Sequence, residues 1–291
     1  MPQLETEEYI EQAYLWRTLY QRLGDGIASQ DILQQIQEEV LSTTKLPMAI
    51  DFLLGEMRHT GRLSDAMRMM AHYFSPFQTY IMDRAETESV RFDTLIAIRI
   101  LEAEAEYRAD PKSTPQGLFI FQFECIARNR LGYDGGLTAI ADDPVFGTSW
   151  QQWIRWVRQQ LGAAEFAQFL YLRSQFLVEE KRRALRNNDW VPDHEILFGI
   201  REGRIAKANL GKEPLYMFQA LQRQLGYPSV PRPERKTEDD VLHPVLKQRF
   251  DQLEKRIKLM EQEQKGGIDL SEFYMKPEQK PPGSADVSGL D

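Results

Sequence analysis

Apolar residues recur along this chain at steps of three and four, the 3.6-residue period of helices that bury one face. Trp16, Leu19, Tyr20 and Leu23 make the first such stripe. Gly24-Asp25-Gly26 ends it, because glycine accepts the left-handed turn at a helix C-terminus. Ile32, Leu33, Ile36 and Val40 line a second helix over residues 29–41, with Ser29 placed as its N-cap. A third, residues 46–60, carries Pro47 in its first turn and Ile50, Leu53, Leu54 and Met57 on one side, and stops at Gly61. Ser64 is positioned to cap a short helix through Met67 and Met70. Ser75-Pro76 repeats the cap-plus-proline start ahead of Phe77, Tyr80 and Ile81, and a long helix follows over residues 92–108.

Asp110-Pro111-Lys112-Ser113-Thr114-Pro115 holds two prolines and no apolar residue, which predicts a domain boundary. Beyond it, residues 118–130 form a phenylalanine-rich helix, and a glycine turn at residues 132–136 leads to a short helix over 137–141. Residues 149–161 place Trp150, Trp153, Ile154 and Val157 on one side. One long helix is expected over 163–186, a glycine-punctuated stretch over 193–212, and a last helix from Leu215 to Gly226. Between residues 237 and 265 the spacing changes: Leu246, Phe250, Leu253, Ile257 and Met260 mark a heptad seam. That seam could pair with a second copy through residues 241–260 or lie back on the body. Residues 266–291 are polar and proline-bearing, which predicts disorder. The expected architecture is all-α: a six-helix-type bundle over residues 9–109, a second helical domain over 114–233, an amphipathic helix and a tail. No strand alternation occurs.

Composition narrows the function classes. The formal net charge of -8 argues against sequence-independent nucleic-acid binding, which needs cations facing phosphates. The one local basic run, Lys181-Arg182-Arg183 with Arg186, falls at a helix C-terminus, where cations complement the dipole. No run approaches the roughly 18 apolar residues of a membrane span. The first eight residues are acidic, without the apolar core of a secretory signal. A single cysteine, Cys125, excludes an internal disulfide and fits a reducing compartment. The expectation is a soluble cytoplasmic protein, with partners as a route to a peripheral place at an inner membrane.

The ordered pieces of the first domain can be compared with a family. Leu19-Tyr20-Gln21-Arg22-Leu23-Gly24 closes its opening helix, and Ile32-Leu33-Gln34-Gln35-Ile36 gives the next stripe. Gly61-Arg62-Leu63-Ser64-Asp65-Ala66 supplies a glycine-x-leucine-x-x-alanine motif, Phe74-Ser75-Pro76 an aromatic-proline stop, and Ala85-Glu86 an acidic turn. In that order and spacing, residues 14–108 resemble the cytoplasmic helical repeat of the type II secretion F family, the inner-membrane platform protein of type II secretion and type IV pilus machines. Two departures stand out. Ala85-Glu86-Thr87-Glu88-Ser89 lacks both glycines of the family's glycine-glutamate-x-x-glycine turn, and no transmembrane helix or second repeat follows. The resemblance implies a helical bundle that binds proteins, with Gly61, Leu63, Ser64, Glu86 and Glu88 as candidate partner-binding residues. Its implied partners are a secretion or pilus ATPase or platform subunits.

Catalytic constellations are weak by comparison. Glu56 and His59 share a helix face as a di-iron pair would, but the only second acid-x-x-His, Asp240 to His243, lies in the charged C-terminal helix. Cys125 sits among Phe119, Phe121 and Phe123, as a buried hydrophobe does. Gly203 and Gly211-Lys212-Glu213 fail the spacing of a phosphate loop. Trp150 and Trp153 are expected in the core and Trp156 at its edge. Glu102, Glu104 and Glu106 alternate around their helix, which predicts solvated carboxylates. We therefore expect no enzymatic activity, cofactor, metal or nucleic-acid partner, but a protein-interaction component of the secretion or pilus type. The rivals are a homodimeric helical scaffold unrelated to secretion and, more remotely, an enzyme with a site in the second domain.

Overall fold

Helical periodicity is realised, in a computed structural model that describes residues 4–40, 42–90 and 92–232, as thirteen helices with no strand among those residues. The first six are α1 (Thr6–Gly24), α2 (Ser29–Glu39), α3 (Leu46–Thr60), α4 (Leu63–Met69), α5 (Pro76–Glu86) and α6 (Thr94–Ala109). Each packs on its successor, and α6 returns along α1, so the six close into a ring around one interior. Leu15, Trp16 and Leu19 of α1, Ile32 and Ile36 of α2, Ile50 and Leu53 of α3, and Ile98 and Leu101 of α6 fill it.

The remaining helices are α7 (Pro115–Asn129), α8 (Tyr133–Ala141), α9 (Thr148–Gln160), α10 (Phe166–Leu172), α11 (Gln175–Leu185), α12 (Ile200–Ala208) and α13 (Pro214–Leu225). The break at residues 110–115 is a tight corner inside a single unit, Met1–Pro233, whose buried residues run unbroken from α1 to α13. Ser113 N–H donates to the Asp110 carbonyl at 2.9 Å, and the Tyr107 hydroxyl accepts from Thr114 N–H and donates to the Leu225 carbonyl, tying the corner to α13. The expected amphipathic helix over 237–265, its dimer seam, the Asp240–His243 pair and the tail over 266–291 lie outside the described residues. No described helix is long and apolar enough to cross a membrane.

Several local expectations hold because the deciding interactions are short in sequence. Gly61 takes φ +72° after α3, and Ser75 caps α5, where it and Gln78 form a reciprocal capping box. Others are corrected by neighbours distant in sequence. Ser29 and Ser64 lie inside α2 and α4 and cap neither helix through their side chains. Residues 133–136, read as a turn, start α8 instead. Gly135 meets the Tyr80 ring and Gly136 meets Ile126 so closely that a Cβ at either would collide, so the glycines serve packing. The long helix expected over 163–186 is split at Arg173-Ser174. There the Arg173 carbonyl accepts from Leu197 and Phe198 N–H, and Gln175 N–H donates to the Phe198 carbonyl, so a distant segment captures the backbone.

The largest correction concerns Glu104. It is fully buried, unlike its helix neighbours Glu102 and Glu106, which pair with Arg17 at the surface. Its Oε1 accepts from Gln122 Nε2 at 2.7 Å and from Arg108 Nη2 at 2.9 Å. The same Arg108 nitrogen also donates to Asp143 in the corner after α8. One guanidinium thus serves two buried carboxylates, and burial pushes the Glu104 carboxyl above its ordinary range while Arg108 opposes the shift. This cluster joins α6, α7 and the α8–α9 corner.

Candidate interaction site

Helix α4 has only seven residues and no side-chain cap of its own. Its first backbone N–H groups would be left without acceptors, a cost shared by all helix starts. Glu86, at the last turn of α5, meets that need: its Oε1 accepts from Leu63 N–H at 2.6 Å and its Oε2 from Ser64 N–H at 2.9 Å. A carboxylate there also faces the positive end of the α4 dipole. Arg62 completes the bracket, donating to Asp83 at 2.8 Å with its Nε 3.7 Å from Glu86. Arg68, one turn further along, joins Asp65 at 2.8 Å and Asp83 at 3.3 Å.

The five candidate partner-binding residues therefore divide. Gly61 and Glu88 are exposed and Glu86 is half-buried. Leu63 and Ser64 are buried, because Leu63 is an inward residue of α4 and Ser64 sits beneath the Glu86 clasp, so neither offers its side chain to a partner. We expect Glu86→Ala to lower stability by about 1–2 kcal/mol, the scale of a lost N-cap strengthened by a charged acceptor. Hydrogen exchange at the Leu63 and Ser64 amides would rise with it, and unchanged protection there would refute the clasp.

Two surface features adjoin α4. On one side lies a groove of about 300 Å³ lined by Lys45, Met48, Phe52, Met69, His72 and Tyr73. Met48 and Met69 are 72% and 64% exposed, large for methionines beside a well-packed core. On the other side α4 and α5 face α8 across a cleft of about 530 Å³ that includes Arg68, Tyr80, Asp83, Asp134 and Asp142. Tyr80 fixes that wall, donating to the Leu131 carbonyl at 2.5 Å, and burial pushes its phenol above the ordinary range. The groove residues come from α3, α4 and the turn after it, so no window of sequence displays them together.

Residues weighed for chemistry take other places. His59 is exposed at the end of α3 and Glu56 is half-buried beside it. Cys125 is buried, and burial raises its thiol well above the ordinary value, which keeps it an unreactive thiol at neutral pH. Trp150 and Trp153 enter the aromatic core around Phe119, and Trp156 stands at the edge against Phe169. Gly199 precedes α12, and Gly203 lies inside it against Ser174 and Phe176. The place of Asp83 and Arg62 in the bracket around α4 was not legible in the sequence. The only signal was the three-residue spacing of Asp83 and Glu86, which puts both on one face of α5.

Compared with protein-family models, with curated proteins and with solved structures, the chain has no match.

Proposed function

We propose that this chain is a protein–protein interaction component related to the platform protein of type II secretion and type IV pilus machines, with α4 and its methionine-lined groove as the partner face. The observation that carries it is the Glu86 clasp. It joins, through two backbone hydrogen bonds, two of the fragments that carry the resemblance, the Gly61–Ala66 motif and the Ala85–Glu86 turn. The closed ring of α1 to α6 over the same residues is further support.

The groove suits the apolar face of a partner helix. Met48 and Met69 are unbranched and polarizable, which adapts them to varied surfaces, and Phe52 offers an aromatic floor. Lys45 at its edge favours acidic residues flanking that face. Glu86 and Ser64 then act from within, holding α4 at the angle that presents Met69.

Paired affinity capture from source-cell extract tests this, with the full chain and its Met48→Asp/Met69→Asp variant as baits. Both side chains are exposed, so the variant should keep the fold. The full chain should retain a secretion or pilus assembly ATPase or platform subunit, and the variant should recover roughly tenfold less, as loss of a modest hot spot predicts. Recovery of no such component, or equal recovery by both baits, overturns the assignment.

A further inference from the structure

We infer that the corner after α11, residues 181–191, docks on the surface of an anionic lipid bilayer. In a chain of net charge -8, Lys181-Arg182-Arg183-Ala184-Leu185-Arg186 places four cations in six residues without an acid. Dipole complementation at the end of α11 accounts for cations there. It does not account for what stands beside them: Leu185 is 57% exposed and Val191 69%, and Trp190, next to Val191 in the chain, is half-buried.

The corner is built, which keeps these side chains together. Arg186 ends α11 in the left-handed region at φ 50°, and Asn187 N–H donates to the Arg182 carbonyl at 3.1 Å. Arg182 Nε then donates to the Trp190 carbonyl at 2.9 Å, folding the chain back on the helix end. Lys181, Arg183 and Arg186 remain exposed. Arg183 donates its Nε to the Glu179 carbonyl at 3.3 Å and approaches that residue's carboxylate at 3.8 Å, and Lys181 and Arg186 have no carboxylate within ion-pair distance among the described residues. Asp193, at the far side, is hydrogen-bonded to His194 at 2.9 Å. Asp189 is the acid left within the corner.

Aliphatic side chains standing among exposed cations fit a bilayer best. Leucine and valine gain by entering the headgroup–acyl boundary, an aromatic ring settles at that depth, and lysine and arginine meet anionic headgroups. A nucleic acid would reward the cations but gain little from leucine and valine, since bases are held by stacking on aromatic rings.

The test uses the full chain and vesicles of phosphatidylcholine, alone or with about one-third phosphatidylserine, in co-sedimentation at low and high salt. Binding should require phosphatidylserine and fall steeply with salt. Lys181→Ala/Arg183→Ala/Arg186→Ala should weaken it roughly a hundredfold, at about fivefold per cation. Leu185→Asp/Val191→Asp should abolish it while leaving the far-ultraviolet spectrum unchanged, since both side chains are exposed. Binding should also shift tryptophan emission to the blue in the full chain but not in Trp190→Phe. Equal binding to neutral vesicles, equal binding by the aspartate variant, or binding of a single-stranded oligonucleotide with none to vesicles each overturns the proposal.

Discussion

Arg108→Met should cost this protein about 3–5 kcal/mol, the scale of removing one partner from a buried ionic group. The guanidinium is the shared donor to Glu104 and Asp143, both of which are buried. Without it, two carboxylates sit a few ångströms apart in a low-dielectric interior, with Gln122 the remaining donor named for Glu104. In a unit of this size the loss amounts to roughly 6–20 °C in melting temperature. Adding Glu104→Gln and Asp143→Asn to the variant should recover most of it, because neutral amides carry no unpaired charge. A single-variant loss below about 1 kcal/mol in urea titration would show that the cluster is not the staple its geometry describes.

The same cluster fixes a pH dependence. Burial raises the Glu104 carboxyl in the folded state, so between its ordinary value and the raised one the folded protein holds a proton that the unfolded chain has released. Stability then falls as pH rises through that window, at up to about 1.4 kcal/mol per pH unit for one proton. Glu104→Gln removes this contribution, and urea midpoints taken at rising pH from the ordinary carboxylate value upward should lose the corresponding slope. A variant whose slope matched the original would place the titration elsewhere.

Phe119→Ala is the second large effect, again about 3–5 kcal/mol, from the transfer loss plus the cavity left behind. Phe119 is fully buried at the hub of the second half, with ring centroids 5.0 Å from Trp153, 5.6 Å from Trp150 and 6.2 Å from Phe166. Those partners come from α9 and α10, so truncating one ring on α7 loosens three helices. The near-ultraviolet circular dichroism of the tryptophans should weaken. Because one buried cluster runs from α1 to α13, hydrogen exchange should accelerate in α1 and α6 as well as in α7. Acceleration confined to α7 to α13 would mean that the two halves unfold separately.

What could be read from residue order alone was whatever depends on near neighbours. The stripes of α1, α2 and α3 arise because residues three and four apart share a face, and that periodicity is local. Gly61 ends α3 because glycine accepts the left-handed turn, and Ser75 caps α5 because its partner Gln78 is three residues away. The core places of Cys125, Trp150 and Trp153 followed from their apolar surroundings in the chain. For the candidate site, the motif around Gly61 and the turn at Glu86 were both visible as fragments.

Tertiary structure decided what those fragments do. Ser64 had the chemistry of a cap, yet Glu86, twenty-two residues on, takes that office because α5 packs on α4 and brings its carboxylate to the helix start. Glu104 alternated with Glu102 and Glu106 as a solvated acid would. Its partner Arg108 lies one turn on along α6, and the packing of α7 added Gln122 as a second donor that makes its burial tolerable, while Asp143 arrived as a further acid served by the same guanidinium. Residues 132–136 had the composition of a turn, but contact with Tyr80 and Ile126 rewarded the absence of side chains and allowed a helix. Periodicity, turns and caps are set by interactions spanning a few residues, so the chain by itself determined an all-helical protein and most of its helices. Burial of charge and the capture of backbone by distant segments depend on which helices meet, and that was settled only when the helices packed.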